Sequence, residues 1–177
     1  MFKKRSFEEV VNGLQRRKNS IAVSELFPKE YLWVCENLAD NKISEDCVLF
    51  SYEKAKQYNK DYRKDFTEFD ENFWIFGESG QGDLWLINLN NNINSLIYFY
   101  DHDMGDFLSE HALNLNINLK EWFILADLIS QMEGLIDRQA DIYFDEYLNL
   151  KTEYRQELLT EIEEIKKGLS SIYPFEL

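Results

Sequence analysis

The chain has 177 residues, enough for one domain with a substantial core and an appendage. A hydrophobic content of 45% with 15% aromatics excludes a disordered chain, while 33 acidic against 19 basic side chains give a formal net charge of -14. Such a field repels nucleic-acid phosphates and anionic membrane surfaces and steers basic partners, so neither nucleic acid nor membrane is an expected partner.

Met1-Phe2-Lys3-Lys4-Arg5 starts like a secretory signal, but Ser6-Phe7-Glu8-Glu9 follows where an apolar segment would be needed. No apolar run is long enough to span a bilayer, and the expected location is the cytoplasm. Ser6 and Glu9 fit a capping box opening a short helix through Val10, Val11 and Leu14. Arg16-Arg17-Lys18 is expected to pair with carboxylates in so acidic a chain rather than to bind a phosphate. Pro28 suits the first turn of a second helix, with Tyr31, Leu32, Val34, Cys35 and Leu38 as its apolar stripe and Asn41 as its end. Cys47 to Phe50 reads as a first strand, and Ser51 caps a mostly exposed helix from Tyr52 to Asp65. Two cysteines, Cys35 and Cys47, are too few for a disulfide framework and read as reduced, partly buried thiols.

The centre of the chain is a strand meander. Phe73 to Phe76, Leu84 to Leu89 and Leu96 to Tyr100 are separated by a glycine-rich and an asparagine-rich turn. The middle run is apolar at nearly every position, which predicts a central strand covered on both faces. Gly105 to Asn118 reads as a loop with a short helical turn at most. Asn118 with Glu121 repeats the capping logic, and Trp122, Leu125, Ala126 and Ile129 supply the buried face of the helix that follows. Beyond Leu135, Tyr143, Tyr147, Leu150, Tyr154, Leu158, Ile162, Ile165 and Leu169 recur at steps of three and four. That spacing predicts one long amphipathic helix, stopped by Lys166-Lys167-Gly168. The expected fold class is therefore α+β: a small, mostly antiparallel sheet covered by the helices starting near Pro28 and Leu119. Residues 1–134 form this domain, and 135–177 form a C-terminal helix packed on it or extending from it.

The turn Gly77-Glu78-Ser79-Gly80-Gln81-Gly82-Asp83 lacks the Lys-Ser/Thr of a Walker loop and leads into a strand, not a helix. It is read as a conformational turn in which Asp83 accepts backbone N–H groups. Asp101-His102-Asp103, with Asp106, Glu110 and His111, has metal-ligand residue types without the spacing of a zinc or calcium motif. These residues are read as loop caps, with no metal or cofactor. The only two histidines lie here, and no nucleophile with a base stands out. The tryptophans Trp33, Trp74, Trp85 and Trp122 all fall in elements expected in the core.

A hydrophobic strand, a G-x-x-G-x-G-D turn, an aromatic-aliphatic strand, a polar turn and a strand closing on Asp101-His102-Asp103 together resemble the core motif of the SUKH superfamily. Leu26-Phe27-Pro28-Lys29-Glu30-Tyr31 is similar to that family's Leu-Pro-x-x-Tyr helix start, and Leu119 to Leu125 to its closing helix. The resemblance covers Ile21 to Gly134 and rests on Pro28, Tyr31, Gly77, Gly80, Gly82, Asp83, Trp85, Asn88 and His102; at Asn88 the family usually has an aspartate. The superfamily groups bacterial immunity proteins, which neutralise polymorphic toxins, with a fungal regulator of cell-wall synthesis. The resemblance implies an immunity protein that occludes the active or substrate surface of a cognate protein toxin. The acidity separately suits a basic partner such as a nuclease. Candidate partner-facing acids are Glu78, Asp101, Asp103, Asp106, Asp141, Asp145 and Glu146. The alternatives are an intracellular scaffold or regulator that docks through the last helix, and an enzyme or metal protein built on His102 and His111.

Overall fold

In the computed structural model every residue is described except 24, 26, 91–94 and 106–108, together with the side chains at 109 and 137. The meander forms as its apolar runs require, and it lies inside a larger sheet. The strands are β1 (Asn41–Lys42), β2 (Val48–Leu49), β3 (Phe73–Glu78), β4 (Leu84–Asn88), β5 (Leu96–Tyr100) and β6 (Leu113–Asn118). They pair antiparallel in sequence order. The helices are α1 (Phe7–Asn12), α2 (Lys29–Asn37), α3 (Tyr52–Asp65), α4 (Leu119–Tyr143) and α5 (Thr152–Ile165). The fold is α+β, and among the described residues no helix is long and apolar enough to cross a membrane.

β4 is covered on both faces, since Leu84, Trp85, Leu86 and Ile87 are all at most 1% exposed. Trp85 meets Phe99 of β5 and Trp122 of α4, at ring separations of 5.2 and 5.8 Å. The aromatic contacts continue from Trp122 to Phe76 and Phe123, and from Phe123 to Phe7 of α1. α2 is tied in by Tyr31, whose buried hydroxyl accepts the Trp74 indole N–H at 2.8 Å. Trp33 is only half-buried. β2 is too short to pair the whole of β3, and side chains of α3 replace the missing strand. Asn59 bonds both the N–H and C=O of Ile75, and Arg63 donates to the carbonyl of Phe73.

Local caps behave as their spacing predicts. Ser6 with Glu9 and Asn118 with Glu121 form full capping boxes, and Ser51 accepts the N–H of Lys54. Arg17 meets Glu53 through two hydrogen bonds, and Arg16 lies over the Trp33 ring. The two thiols are unpaired, buried, and pushed up by that burial, Cys35 to about 12 and Cys47 further.

Three expectations are corrected. α2 ends at Asn37, and Asn41 opens β1; its buried side chain accepts the N–H of Gln15 and donates to the carbonyls of Gln15 and Ala39. The stretch expected as a loop up to Asn118 contains β6, an alternating Leu-Asn-Leu-Asn-Ile-Asn strand that buries Leu115 and Ile117. The single C-terminal helix is instead broken twice: α4 is kinked at Gln139 (φ -154°, ψ 46°) before it ends at Tyr143, and α5 starts only at Thr152. In the loop after Tyr143 the Asp145 carboxylate accepts the N–H groups of Tyr147 and Asn149, a local bonding pattern that competes with a helix. Position 134 lies inside α4, and Leu158, Ile162, Leu169 and Tyr173 bury the C-terminal segment in the common core. The N-terminal residues lie against it, with the N–H groups of Phe2 and Lys4 bonded to Glu157 and Glu161 of α5.

The closest packing lies at Gly77, where an added Cβ would come within 2.4 Å of the Val48 carbonyl oxygen. Gly77→Ala is expected to lower stability by about 1–3 kcal/mol through this overpacking. Gly134→Ala, inside α4 with nothing nearer than Arg138 at 3.8 Å, is expected to raise it by about 0.5–1 kcal/mol. Urea midpoints check both; a Gly77→Ala protein as stable as the parent would contradict the packing described.

Candidate functional site

The turn between β3 and β4 is built around a buried carboxylate. Gly82, at φ 97°, lets the chain reverse, and the Gly80 N–H donates to the Glu45 carbonyl at 2.7 Å, anchoring the turn to the β1–β2 connection. Asp83 is 5% exposed. One of its oxygens accepts the Ser79 hydroxyl at 2.8 Å; the other accepts the backbone N–H of His102 at 3.2 Å and lies 2.7 Å from His102 Nδ1. Burial alone would raise the Asp83 carboxyl, but the bonds from His102 and Ser79 outweigh it and hold the group below its ordinary range. The same contact with Asp83, helped by Asp103 and Asp101, raises His102. The result is an oriented, charge-favouring imidazole whose Nε2 faces Asp103 at 3.3 Å.

Chemically this arrangement fixes a loop and can carry a proton at Nε2 of a half-exposed histidine. Ser79 is 2% exposed and gives its hydroxyl to Asp83, not to His102, so this serine and histidine do not form a nucleophile–base pair. Asp83, Asp101 and His102 each place one potential ligand atom within 4.8 Å of the others. An ion bound through Asp83 Oδ1 and His102 Nδ1 would replace the hydrogen bond between them.

The other residues of the resemblance hold structure. Pro28 stands at the N-cap of α2, and Tyr31 and Trp85 are fully buried, the Trp85 indole donating to the Asp46 carbonyl at 2.7 Å. Asn88 accepts the N–H of Asn90 with its amide oxygen, so an uncharged side chain performs the turn-capping task an aspartate could do.

The candidate acids fall into distinct environments. Glu78 is paired with Lys54 at 2.9 Å and lies near the Tyr58 hydroxyl. Asp101 accepts the N–H of Asp103 and caps the 3-10 turn His102–Met104, while Asp103 itself is 85% exposed. Asp141, Asp145 and Glu146 are exposed at the end of α4 and in the loop after it. Asp106 lies outside the described residues. One acidic group is absent from the expectations. Glu133 of α4 accepts the Glu45 N–H with both oxygens and is pushed up to about 7, chiefly by burial and then by Asp46 and Glu45. Its partners are 88 residues away in the chain, and no local pattern announces them. Exposure of Tyr147 is also unannounced, because its spacing continues the apolar stripe, and Leu148 beside it is exposed too.

No protein-family model, curated protein or solved structure matches this chain.

The Asp83–His102 pair sets a pH dependence. Asp83, lowered on folding, contributes fully above its unfolded 3.8 and loses that contribution as pH falls; His102, raised on folding, contributes fully below 6.5 and loses it as pH rises through its folded midpoint. The pair is therefore strongest between those values. Asp83→Asn is expected to bring the NMR titration midpoint of His102 down toward 6.5 and to cost about 1–3 kcal/mol of stability. An unmoved His102 midpoint would contradict the pairing.

Proposed function

We propose that this chain is an immunity-type inhibitor that acts in the cytoplasm, binding a basic protein toxin and covering its active or substrate-binding surface. The placement of charge carries the reading. Among the described residues only Asp83 and Asp127 are buried acids, and each is bonded to a basic side chain, His102 or Arg5. The other described acids reach the surface at least in part, so most of the chain's excess of acids is presented outward. An enzyme that acts on a polyanion has a basic cleft, and an acidic surface can occupy that cleft in the substrate's place. The resemblance of Ile21 to Gly134 to the SUKH superfamily supports the same reading. Binding, not catalysis, is the proposed activity; the Ser79 hydroxyl and the His102 imidazole are both bonded to Asp83.

The test is affinity capture with the full chain from its native cells, followed by expression of each recovered protein with and without this chain. The expected result is a basic protein that arrests growth alone and is tolerated in the presence of this chain. Its association should slow at least about tenfold between about 50 mM and about 500 mM salt. Recovery of only non-toxic partners, or an association indifferent to salt, would overturn the reading.

A further inference from the structure

The loop between α4 and α5 is fixed more firmly than a connection requires. Phe144 and Leu150 pair as an antiparallel bridge and are both buried. Inside that bridge the Asp145 N–H donates to the Asn149 carbonyl at 2.9 Å, and the Leu148 N–H to the Asp145 carbonyl at 3.1 Å. The Asp145 carboxylate takes the N–H groups of Tyr147 and Asn149, and Lys151 donates its ammonium to the carbonyls of Asp141 and Ile142. On this frame the two largest side chains at the tip bury little. Tyr147 is 77% exposed and Leu148 is 61% exposed. Leu148 also holds φ 64°, a left-handed conformation that suits glycine or asparagine and strains a leucine.

A hydrogen-bonded frame that already presents a tyrosine and a leucine to solvent lowers the ordering cost of inserting them elsewhere. Asp141, Asp145 and Glu146 flank the tip, and the one lysine of this stretch, Lys151, is engaged with backbone carbonyls. A second copy docked tip to tip would bring the same acids against these and be repelled. We infer that Tyr147 and Leu148 form a preorganised docking knob that enters an apolar pocket rimmed by basic side chains on a protein partner. This names the contact surface of the inhibitor proposed above and rests on that reading.

The test replaces Tyr147 with the photo-crosslinker p-benzoylphenylalanine in the full chain in its native cells, with the exposed Glu68 as a second crosslinking position. The protein crosslinked through position 147 is then purified and titrated against the parent, Tyr147→Ala and Leu148→Gly chains. Glycine accepts the left-handed backbone, so Leu148→Gly should melt at or above the parent temperature while losing the apolar contact. The expected result is a basic protein crosslinked at 147 and not at 68, bound at least about tenfold more weakly by each variant. A toxic basic partner bound equally by both variants overturns the knob and leaves the inhibitor reading standing. A basic, non-toxic partner with the tenfold loss keeps the knob and overturns the toxin reading. Crosslinks between two copies, to lipid, or none at 147 overturn the knob.

Discussion

The burial of Trp85 is the constraint on which the rest of the molecule depends. It is the second residue of β4, the strand covered on both faces, and has no exposed surface. Its ring meets Phe99 of β5, Trp122 of α4 and Phe175 near the C-terminus, and its N–H reaches the Asp46 carbonyl between β1 and β2. Four parts of the chain distant in sequence thus close on one side chain. Removing an indole of this size from water is worth about 4–6 kcal/mol as an upper estimate, before its hydrogen bond is counted. Surface ion pairs such as Lys42–Glu45 contribute at most about 1 kcal/mol each. Aromatic packing holds this fold, which leaves the acids free for another task.

The few cations are spent on tying distant segments together. Arg5 reaches the buried Asp127, Arg17 holds Glu53, Lys54 holds Glu78, and Lys4 holds Glu164. Each joins segments far apart in the chain; Asp127 is buried in its pair, while Glu53 and Glu164 stay more than half exposed. The acids at the end of α4 and at the tip of the following loop are instead used for backbone turns or left to solvent. Bonds from Asn149 and Tyr147 lower Asp145. A negative, rigid loop with an aromatic tip is what remains when the core and the ion pairs are accounted for.

Much of the fold was legible in the sequence because its signals are local. The meander strands are apolar runs bounded by turn residues, and the caps at Ser6, Ser51 and Asn118 need only a partner one helical turn away. β6 carried an equally plain signal in its strict alternation, which the surrounding polar residues obscured. The break after Tyr143 was hidden for a different reason: Tyr143, Tyr147, Leu150 and Tyr154 keep helical spacing straight through a loop, and Tyr143 still packs on Tyr154 at 4.9 Å across it. The candidate site was less legible than the fold. Asp83 could be read as a turn former, but its charge is set by His102, which only the β4–β5 pairing brings beside it. Glu133 and Glu45 meet solely through tertiary packing.

If Trp85 unites the sheet, α4 and the C-terminal segment, the loop they carry must be as stable as the core. Native-state hydrogen exchange measures this directly on the hydrogen-bonded amides of Asp145, Leu148 and Lys151. Opening free energies within about 1–2 kcal/mol of those for β4 amides are expected. Exchange of these three amides by small local openings, while β4 stays protected, would contradict a single cooperative unit and remove the fixed frame on which Tyr147 and Leu148 are held.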